Sequence, residues 1–160
     1  MEKIQKTKIL FVCLGNICRS PSAHTIFQKM VNEKGLSDRF EIDSAGIIGH
    51  HAGEMADPRM RKYAANRDYN ITTTSRQLKK SDFEKFDMII GMDNRNIADL
   101  RKIAYLDENI SKISKMTDYC EHFKEDEVPD PYYSGYEGFE YVLDLLEDAC
   151  ASLLTKLNDV

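Results

Sequence analysis

The first 34 residues carry the pattern that most restricts how this chain folds: an apolar run, a loop of small and polar residues, and an amphipathic stretch. The apolar run ends at Cys13, and the loop Leu14–Ser20 separates it from Pro21. A short apolar run bounded by turn residues is typical of a strand buried on both faces. Apolar residues then recur at helical spacing, which predicts a helix from about Ser22 to Lys34, ended by Gly35. The sequence therefore predicts a strand, a loop at its carboxyl end, and a helix.

Strand and helix patterns alternate along the rest of the chain. Strands are predicted at Phe40–Ser44, Asp87–Met92 and Lys112–Met116, and helices at Pro58, at the capping-box spacing Ser81–Glu84, after Asp93 or Asn94, and over Gly138–Leu157. This alternation favours an α/β fold, in which helices cover both faces of a parallel sheet. Ligands of such sheets bind beyond the carboxyl ends of the strands, where the loop after Cys13 lies. No repeat or linker divides residues 1–160, which we expect to form a single domain.

The composition of the chain disfavours several classes of partner and indicates the compartment in which the protein is expected. The net charge of −5 disfavours nucleic-acid binding, because that binding depends on Lys and Arg against phosphates. No segment approaches the ~20 apolar residues of a membrane span, and no secretory signal pattern occurs. The four cysteines lack the spacing of a zinc site and are interpreted as thiols. We therefore expect a cytoplasmic protein with no metal, no membrane association and no nucleic-acid partner.

The loop after the first strand combines groups that phosphoryl transfer needs. A helix N-terminus and a neighbouring cation, here Arg19, favour a thiolate, so Cys13 is a candidate nucleophile. The Ser20 hydroxyl can donate a hydrogen bond to its sulfur, and the planar guanidinium matches two phosphate oxygens. Gly15 permits close approach of the backbone to an anion, and Asn16 tolerates the left-handed conformation of a tight loop. The alternative is that Cys13 is only a small hydrophobic residue of a core strand.

Displacement of an alkoxide or phenoxide from phosphorus also calls for a general acid. Asp130 is the candidate, because Pro129 and Pro131 bracket it and stiffen the loop. Tyr132 and Tyr133 are candidates to line the pocket and to stack on a flat substrate. The alternatives are that Asp130 simply belongs to a turn, and that the two tyrosines are surface or core residues.

Taken together, these motifs resemble those of the low-molecular-weight protein tyrosine phosphatases over nearly the whole chain. The matching segments are Val12–Pro21, Asp43–Gly46, Ala56–Arg59, Ser81–Asp87, Met92–Asp93, Val128–Tyr133 and Glu137–Phe139. The resemblance implies a four-stranded parallel sheet flanked by helices. It also implies hydrolysis of phosphotyrosine in proteins, or of small aryl phosphates, with no metal and no cofactor. We expect a monomer, with weak self-association left open.

The resemblance implies a two-step mechanism. Cys13 would attack phosphorus and form a cysteinyl-phosphate while Asp130 protonates the leaving group. Water activated by Asp130 would then hydrolyse this intermediate. The amides from Leu14 to Arg19, with those of Ile17 and Cys18 among them, would hold the phosphate oxygens together with the guanidinium.

Further positions support or modify this resemblance. Asn16 and Ser44 are similar to the pair that braces the loop in the family, and Asp93 is similar to a family position near the site. The family commonly has an aromatic residue on the loop after Ser-Ala-Gly, where this chain has His50, so His50 is expected to alter substrate preference. Ile17 stands where phosphoarginine-directed relatives carry Thr, which favours phosphotyrosine.

Two residues near the loop have open interpretations. Cys18 is close enough in sequence to trap Cys13 as a disulfide on oxidation, which would protect the thiolate. Alternatively, Cys18 is a buried neighbour with no redox role. His24 stands where the family often has an acidic residue, and we expect it at the surface.

Three other functions compete with phosphotyrosine hydrolysis. An arsenate reductase of this fold needs two further cysteines after the third strand, where this chain has Gly91–Asn94. A phosphocarrier would hold phosphate on its cysteine for relay, but Arg19 and Asp130 favour hydrolysis. An inert phosphate-binding adaptor is disfavoured because every catalytic position is filled.

Overall fold

A parallel four-stranded sheet forms the centre of the structure, a computed structural model that describes residues 5–158 apart from the side chain of Tyr133. In chain order, the elements are β1 (Thr7–Cys13), α1 (Arg19–Glu33), β2 (Phe40–Gly46), α2 (Pro58–Ala65), α3 (Asp82–Lys85), β3 (Met88–Gly91), α4 (Asn94–Ala104), α5 (Asp107–Ile110), β4 (Ile113–Lys115) and α6 (Tyr136–Asn158). The strands lie in the order β2-β1-β3-β4, and each neighbouring pair is parallel. The predicted α/β class with four parallel strands is confirmed.

The sheet separates two hydrophobic cores, and β1 contributes to both. Ile9, Phe11 and Cys13 belong to one core, whereas Leu10 and Val12 belong to the other. The first core includes residues of α1, α2 and α6, among them Phe27, Met60 and Leu143, and the second includes residues of α3 and α4, among them Phe83 and Leu100. Helices therefore cover both faces, as expected. Burial on both faces explains why β1 is an unbroken apolar run in the sequence.

The helix α1 begins at Arg19, three residues before the predicted start. Pro21 does not prevent this, because the first turn of a helix needs no intrahelical partner for its N–H groups. The consequence is that Arg19 and Ser20 belong to the first helical turn and are held by its geometry.

The capping box predicted over Ser81–Glu84 is not formed. A single turn of helix, α3, does begin at Asp82, but the Ser81 side chain makes no capping hydrogen bond. The Asp82 carboxylate instead accepts a hydrogen bond from the Lys79 amide and forms an ion pair with Arg76. Two residues just before the helix, Lys79 and Arg76, therefore contact the carboxylate of its first residue.

The ends of three strands place the loop that follows Cys13. Cys13 lies opposite Gly46 of β2, and Val12 lies opposite Gly91 of β3. A Cβ atom on Gly46 would lie 2.9 Å from the Gly15 carbonyl carbon and 3.0 Å from the Leu14 carbonyl oxygen. Glycine at this position therefore lets the loop fold closely over the end of β2.

Candidate active site

The loop Cys13–Arg19, called the Cys13 loop below, is held from outside through its carbonyl groups. The Ile48 amide donates to the Leu14 carbonyl at 3.0 Å, the Ser75 hydroxyl to that of Gly15 at 3.0 Å, and the Asp57 amide to that of Ile17 at 2.8 Å. Within residues 5–158, the amides from Gly15 to Cys18 have no hydrogen-bond acceptor. A row of such amides before a helix N-terminus is a binding site for an anion.

The sulfur of Cys13 lies at the base of this loop and is 3% exposed. It is 3.1 Å from the Ser20 hydroxyl and 3.5 Å from the Ser20 amide nitrogen. The Asn16 side-chain amide donates to the same hydroxyl oxygen at 2.6 Å, and Asn16 has the left-handed backbone (φ 58°) that the sequence predicted. Because the Ser20 oxygen accepts from Asn16, its own hydrogen can go either to the sulfur or to the Ala45 carbonyl, which lies farther away at 3.4 Å.

The guanidinium of Arg19 is buried beside this sulfur, with 2% of the residue exposed. Its Nη1 donates to Asp93 Oδ2 at 2.7 Å and to the Val128 carbonyl at 3.1 Å, and its Nη2 lies 3.5 Å from Asp130 Oδ2. Burial opposes the positive charge, but Cys13, Asp93 and Asp130 outweigh burial and raise the pKa of Arg19 above its ordinary value. The guanidinium is therefore a permanent, immobilised cation.

The carboxylate of Asp130 lies on the far side of Arg19, at the edge of the protein. Its side chain is 41% exposed, and its Oδ1 accepts a hydrogen bond from the Tyr132 amide at 3.1 Å. Pro131 opens a short 3₁₀ helix, Pro131–Tyr133, for which Asp130 is the N-cap. A carboxyl group held this way has access both to the site and to solvent water.

A pocket of about 270 Å³ joins these groups. The predicted residues that line it are Cys13, Leu14, Gly15, Ile17, Cys18, Arg19, His50, Asp130 and Tyr132. The side chain of Tyr133, also expected there, lies outside the described residues. The pocket is lined by the buried residues of the Cys13 loop and by the more exposed Asp130, which suits a ligand that enters with one anionic end.

Two residues line the pocket that the sequence did not single out as site residues, Ile48 and His51. The His51 ring packs against that of His50 with centroids 4.9 Å apart, and its Nδ1 lies 2.6 Å from Glu54 Oε2. The available signal was their position within two residues of His50, on the loop after β2.

Three predicted residues support the site from behind. Asn16 contacts Ser20, Ser20 contacts the sulfur, and Asp93 contacts Arg19. Of the two residues expected to brace the loop, Asn16 contacts Ser20, whereas Ser44 contacts α1 at His24. Asn16 Oδ1 accepts from the Arg76 amide at 3.1 Å, and the Ser44 hydroxyl lies 3.3 Å from His24 Nδ1.

The expectation that His24 lies at the surface is wrong. His24 is partly buried between α1 and β2, and burial lowers its pKa below the ordinary value, although the negative charge of Asp43 opposes this shift.

Cys18 lies in the same pocket as Cys13 and is also 3% exposed. Burial raises the pKa of the Cys18 thiol, and the negative charges of Asp57, Cys13 and Asp130 add to this despite the opposing charge of Arg59. Two thiols thus face one cavity, and the surroundings disfavour the ionised form of Cys18.

This arrangement brings a sulfur nucleophile, a fixed cation, a row of amides and a partly solvated carboxyl group into one pocket. The cation and the amides can hold the oxygens of a tetrahedral dianion. The sulfur can then attack its central atom, and the carboxyl group can transfer a proton to or from the opposite side. These are the requirements for displacement at the phosphorus of a monoester.

Comparison with known proteins agrees with this chemistry. A family model described as low molecular weight phosphotyrosine protein phosphatase matches residues 8–160. The chain is 41% identical over 154 residues to the low molecular weight protein-tyrosine-phosphatase YfkJ of Bacillus subtilis, covering 94% of this chain and 95% of that protein. A protein tyrosine phosphatase from Entamoeba histolytica, crystallised with Hepes in its active site, superposes with a TM-score of 0.93 at 45% identity, over 96% of this chain and 98% of that chain. DARP, a Drosophila arginine phosphatase, superposes with a TM-score of 0.88 at 28% identity, over 94% of this chain and 98% of that chain.

Proposed function

Because the chain belongs to the low-molecular-weight phosphotyrosine protein phosphatase family, we propose that Cys13, Arg19 and Asp130 carry out its hydrolysis of phosphotyrosine. The protein is a protein-tyrosine phosphatase, a phosphoric monoester hydrolase that acts on phosphotyrosine in proteins and on small aryl phosphates. The position of Arg19 supports these roles. Arg19 is adjacent in sequence to Ser20, which contacts Cys13, and it lies 3.5 Å from the Asp130 carboxylate.

In the first step, the Cys13 sulfur attacks phosphorus, and the bond from phosphorus to the phenolic oxygen breaks. Asp130 enters this step protonated and gives its proton to the departing oxygen. Arg19 and the amides from Gly15 to Cys18 hold the three equatorial oxygens, where negative charge accumulates. The products are a cysteinyl-phosphate, the free phenol side chain and an Asp130 carboxylate.

In the second step, a water molecule enters the position that the phenol has left. It gives a proton to the Asp130 carboxylate and attacks phosphorus, and the bond from sulfur to phosphorus breaks. The thiolate of Cys13 returns, stabilised by the Ser20 hydroxyl at 3.1 Å, and inorganic phosphate leaves. Asp130 is protonated again, so both proton transfers are complete within one cycle and no metal or cofactor takes part.

Substitutions of the nucleophile and the acid test these roles. We expect Cys13→Ser to abolish p-nitrophenyl phosphate hydrolysis, and Asp130→Asn to lower kcat by about 100-fold with a much smaller effect on KM. Asp126→Asn is the matched control, because Asp126 precedes the same loop but forms an ion pair with Lys115. Unchanged turnover in Asp130→Asn would show that another group is the acid.

Selection for phosphotyrosine over phosphoarginine is supported by Ile17, which lines the pocket with an apolar surface. Hydrolysis rates of matched phosphotyrosine and phosphoarginine peptides test this preference, with Ile17→Thr as the variant that should narrow the difference. An arsenate reductase function is disfavoured. It would need cysteines after β3, where this chain has Asp93, which forms an ion pair with Arg19.

We also propose that the phosphatase is sensitive to oxidation. Peroxide would convert the Cys13 thiolate to a sulfenic acid, and the Cys18 thiol would displace water from it to form a disulfide. The support is that both sulfurs line one pocket. We propose that His50, an exposed residue that lines the same pocket, sets a preference among protein substrates.

Finally, we propose a cytoplasmic enzyme, monomeric with weak self-association at most, in which residues 1–160 form one domain. Its four cysteines are free thiols, as a reducing compartment keeps them. No helix among residues 5–158 has the length and apolar character to cross a membrane. Sedimentation at increasing protein concentration measures the self-association.

A further inference from the structure

We propose that Arg59, near the start of α2, is a positioning residue that fixes Asp130 for proton transfer by joining the segment 128–133, called the Asp130 loop below, to the Cys13 loop. Arg59 does not line the pocket, so it acts through other residues. This inference rests on the assignment of Asp130 as the general acid.

One side of Arg59 contacts the Asp130 loop. Its Nη2 donates a hydrogen bond to the Tyr132 carbonyl at 2.9 Å. The guanidinium carbon lies 5.4 Å from the centroid of the Tyr132 ring and 4.8 Å from that of Phe139 in α6. A planar guanidinium can stack on aromatic rings while it donates hydrogen bonds at its edge, which an ammonium group cannot do.

The other side of Arg59 contacts Asp57, which is the N-cap of α2. Arg59 Nε and Nη2 donate to the two carboxylate oxygens at 3.1 and 2.9 Å, and the Arg59 amide donates to Oδ1 at 2.8 Å. The Asp57 side chain is only 7% exposed, and its backbone amide donates to the Ile17 carbonyl of the Cys13 loop at 2.8 Å. Burial opposes the charge of Asp57, but the hydrogen bonds from Arg59 outweigh burial and lower its pKa.

Tyr132 connects Arg59 to the carboxyl group. The Tyr132 amide donates to Asp130 Oδ1 at 3.1 Å, while the Tyr132 carbonyl accepts from Arg59. The peptide groups on both sides of Tyr132 are therefore fixed, one by the acid and one by the arginine. A continuous chain of contacts then runs from Ile17 through Asp57, Arg59 and Tyr132 to Asp130.

Asp130 needs such support, because its side chain is 41% exposed and lies on a loop without regular sheet or α-helix. A proton donor displaced by about 1 Å loses much of its catalytic effect. The ion pair between Asp57 and Arg59 therefore sets the distance between the part of the site that holds phosphate and the part that moves the proton.

The test compares Arg59→Gln with Arg61→Gln, a matched variant on the same helix whose Nε donates to the Ala56 carbonyl and does not contact the Asp130 loop. Phenyl phosphate has a more basic leaving group than p-nitrophenyl phosphate and depends more on a positioned acid. For Arg59→Gln we expect kcat/KM to fall about tenfold with phenyl phosphate and about threefold with p-nitrophenyl phosphate. The inhibition constant of inorganic phosphate should change less than about twofold, because the amides and Arg19 remain in place. Arg61→Gln should leave all three values at those of the unmodified enzyme.

A double variant separates positioning from a general structural effect. If Arg59 acts through Asp130, adding Arg59→Gln to Asp130→Asn should cost no further activity with phenyl phosphate. Fully additive losses, or equal losses with both leaving groups, would overturn the inference. Should Arg59→Gln fail to fold, Arg59→Lys takes its place, since lysine retains the charge beside Asp57 but not the double hydrogen bond. Full activity of Asp130→Asn alone would instead refute the assignment of the acid, so the two failures are distinguishable.

Discussion

Arg19 Nη1 and Asp93 Oδ2 lie 2.7 Å apart, in a contact that joins the first turn of α1 to the end of β3. The other carboxylate oxygen of Asp93 accepts a hydrogen bond from the Asn96 amide at 2.7 Å and caps α4. One carboxylate thus fixes the catalytic guanidinium with one oxygen and the start of a helix with the other. The position of the cation is thereby set by two elements that are far apart in sequence.

Two substitutions of Asp93 should separate these roles. Asp93→Asn keeps an N-cap but removes the charge, so we expect kcat/KM to fall about tenfold with little loss of stability. Asp93→Ala should show the same kinetic loss and a free energy of unfolding lower by about 1 kcal/mol, because the cap is lost as well. Steady-state kinetics and urea unfolding measure the two effects. Equal stability of both variants would contradict the capping role.

Ser20→Ala should make Cys13 harder to ionise. The variant removes the hydroxyl 3.1 Å from the sulfur, and a hydrogen bond to a charged group contributes roughly 1.5–3 kcal/mol. We expect the pH at which iodoacetamide modifies Cys13 to rise, and kcat/KM at neutral pH to fall about 10-fold or more. Ser22→Ala is the matched control, since the Ser22 hydroxyl bonds to the Cys18 carbonyl on the same helix. An unchanged alkylation profile in Ser20→Ala would exclude the hydroxyl from thiolate stabilisation.

The residues that line the pocket were largely predictable, because most of them are adjacent in sequence. The strand β1, the Cys13 loop and α1 follow one another, and local patterns are sufficient to place Cys13 and Arg19 together. The residues that hold the Cys13 loop from outside were harder to predict from the sequence. Ser75 bonds to the Gly15 carbonyl and Arg76 to Asn16, each at a sequence separation of 60, and no local pattern encodes such contacts.

Two other expectations were wrong. Ser81 has the spacing of a capping residue, but its side chain makes no capping hydrogen bond, and the neighbouring Asp82 pairs with Arg76 six positions earlier. His24 lies among polar residues in sequence, and only the packing of α1 against β2 brings it to Ser44. A tertiary contact, which local sequence rules omit, is involved in the case of His24.

Cys18→Ala should remove protection against irreversible oxidation. After peroxide treatment, the unmodified enzyme should regain activity with dithiothreitol and show a Cys13–Cys18 disulfide by mass spectrometry. Because burial and nearby negative charges raise the pKa of Cys18, disulfide formation should become faster as the pH rises. In Cys18→Ala, Cys13 should instead accumulate as sulfinic acid and activity should not return. Cys120→Ala is the control, and recovery equal to that control would refute the protective role.

The pH dependence of stability should report the burial of His24. Burial lowers its pKa in the folded state below the unfolded value of about 6.5, so the unfolded state binds the proton more readily. The contribution of His24 to stability is therefore fully present above about pH 6.5 and is lost as the pH falls toward the folded pKa. We expect the free energy of unfolding, measured with urea, to fall as the pH is lowered from about 7.5 to about 5.5. It should fall less in His24→Gln, which cannot take up a proton, than in the unmodified protein. His122→Gln is the matched control, because residue 122 is exposed whereas His24 is partly buried. Identical pH dependence in His24→Gln and the unmodified protein would mean that this imidazole is as solvated in the folded state as in the unfolded chain.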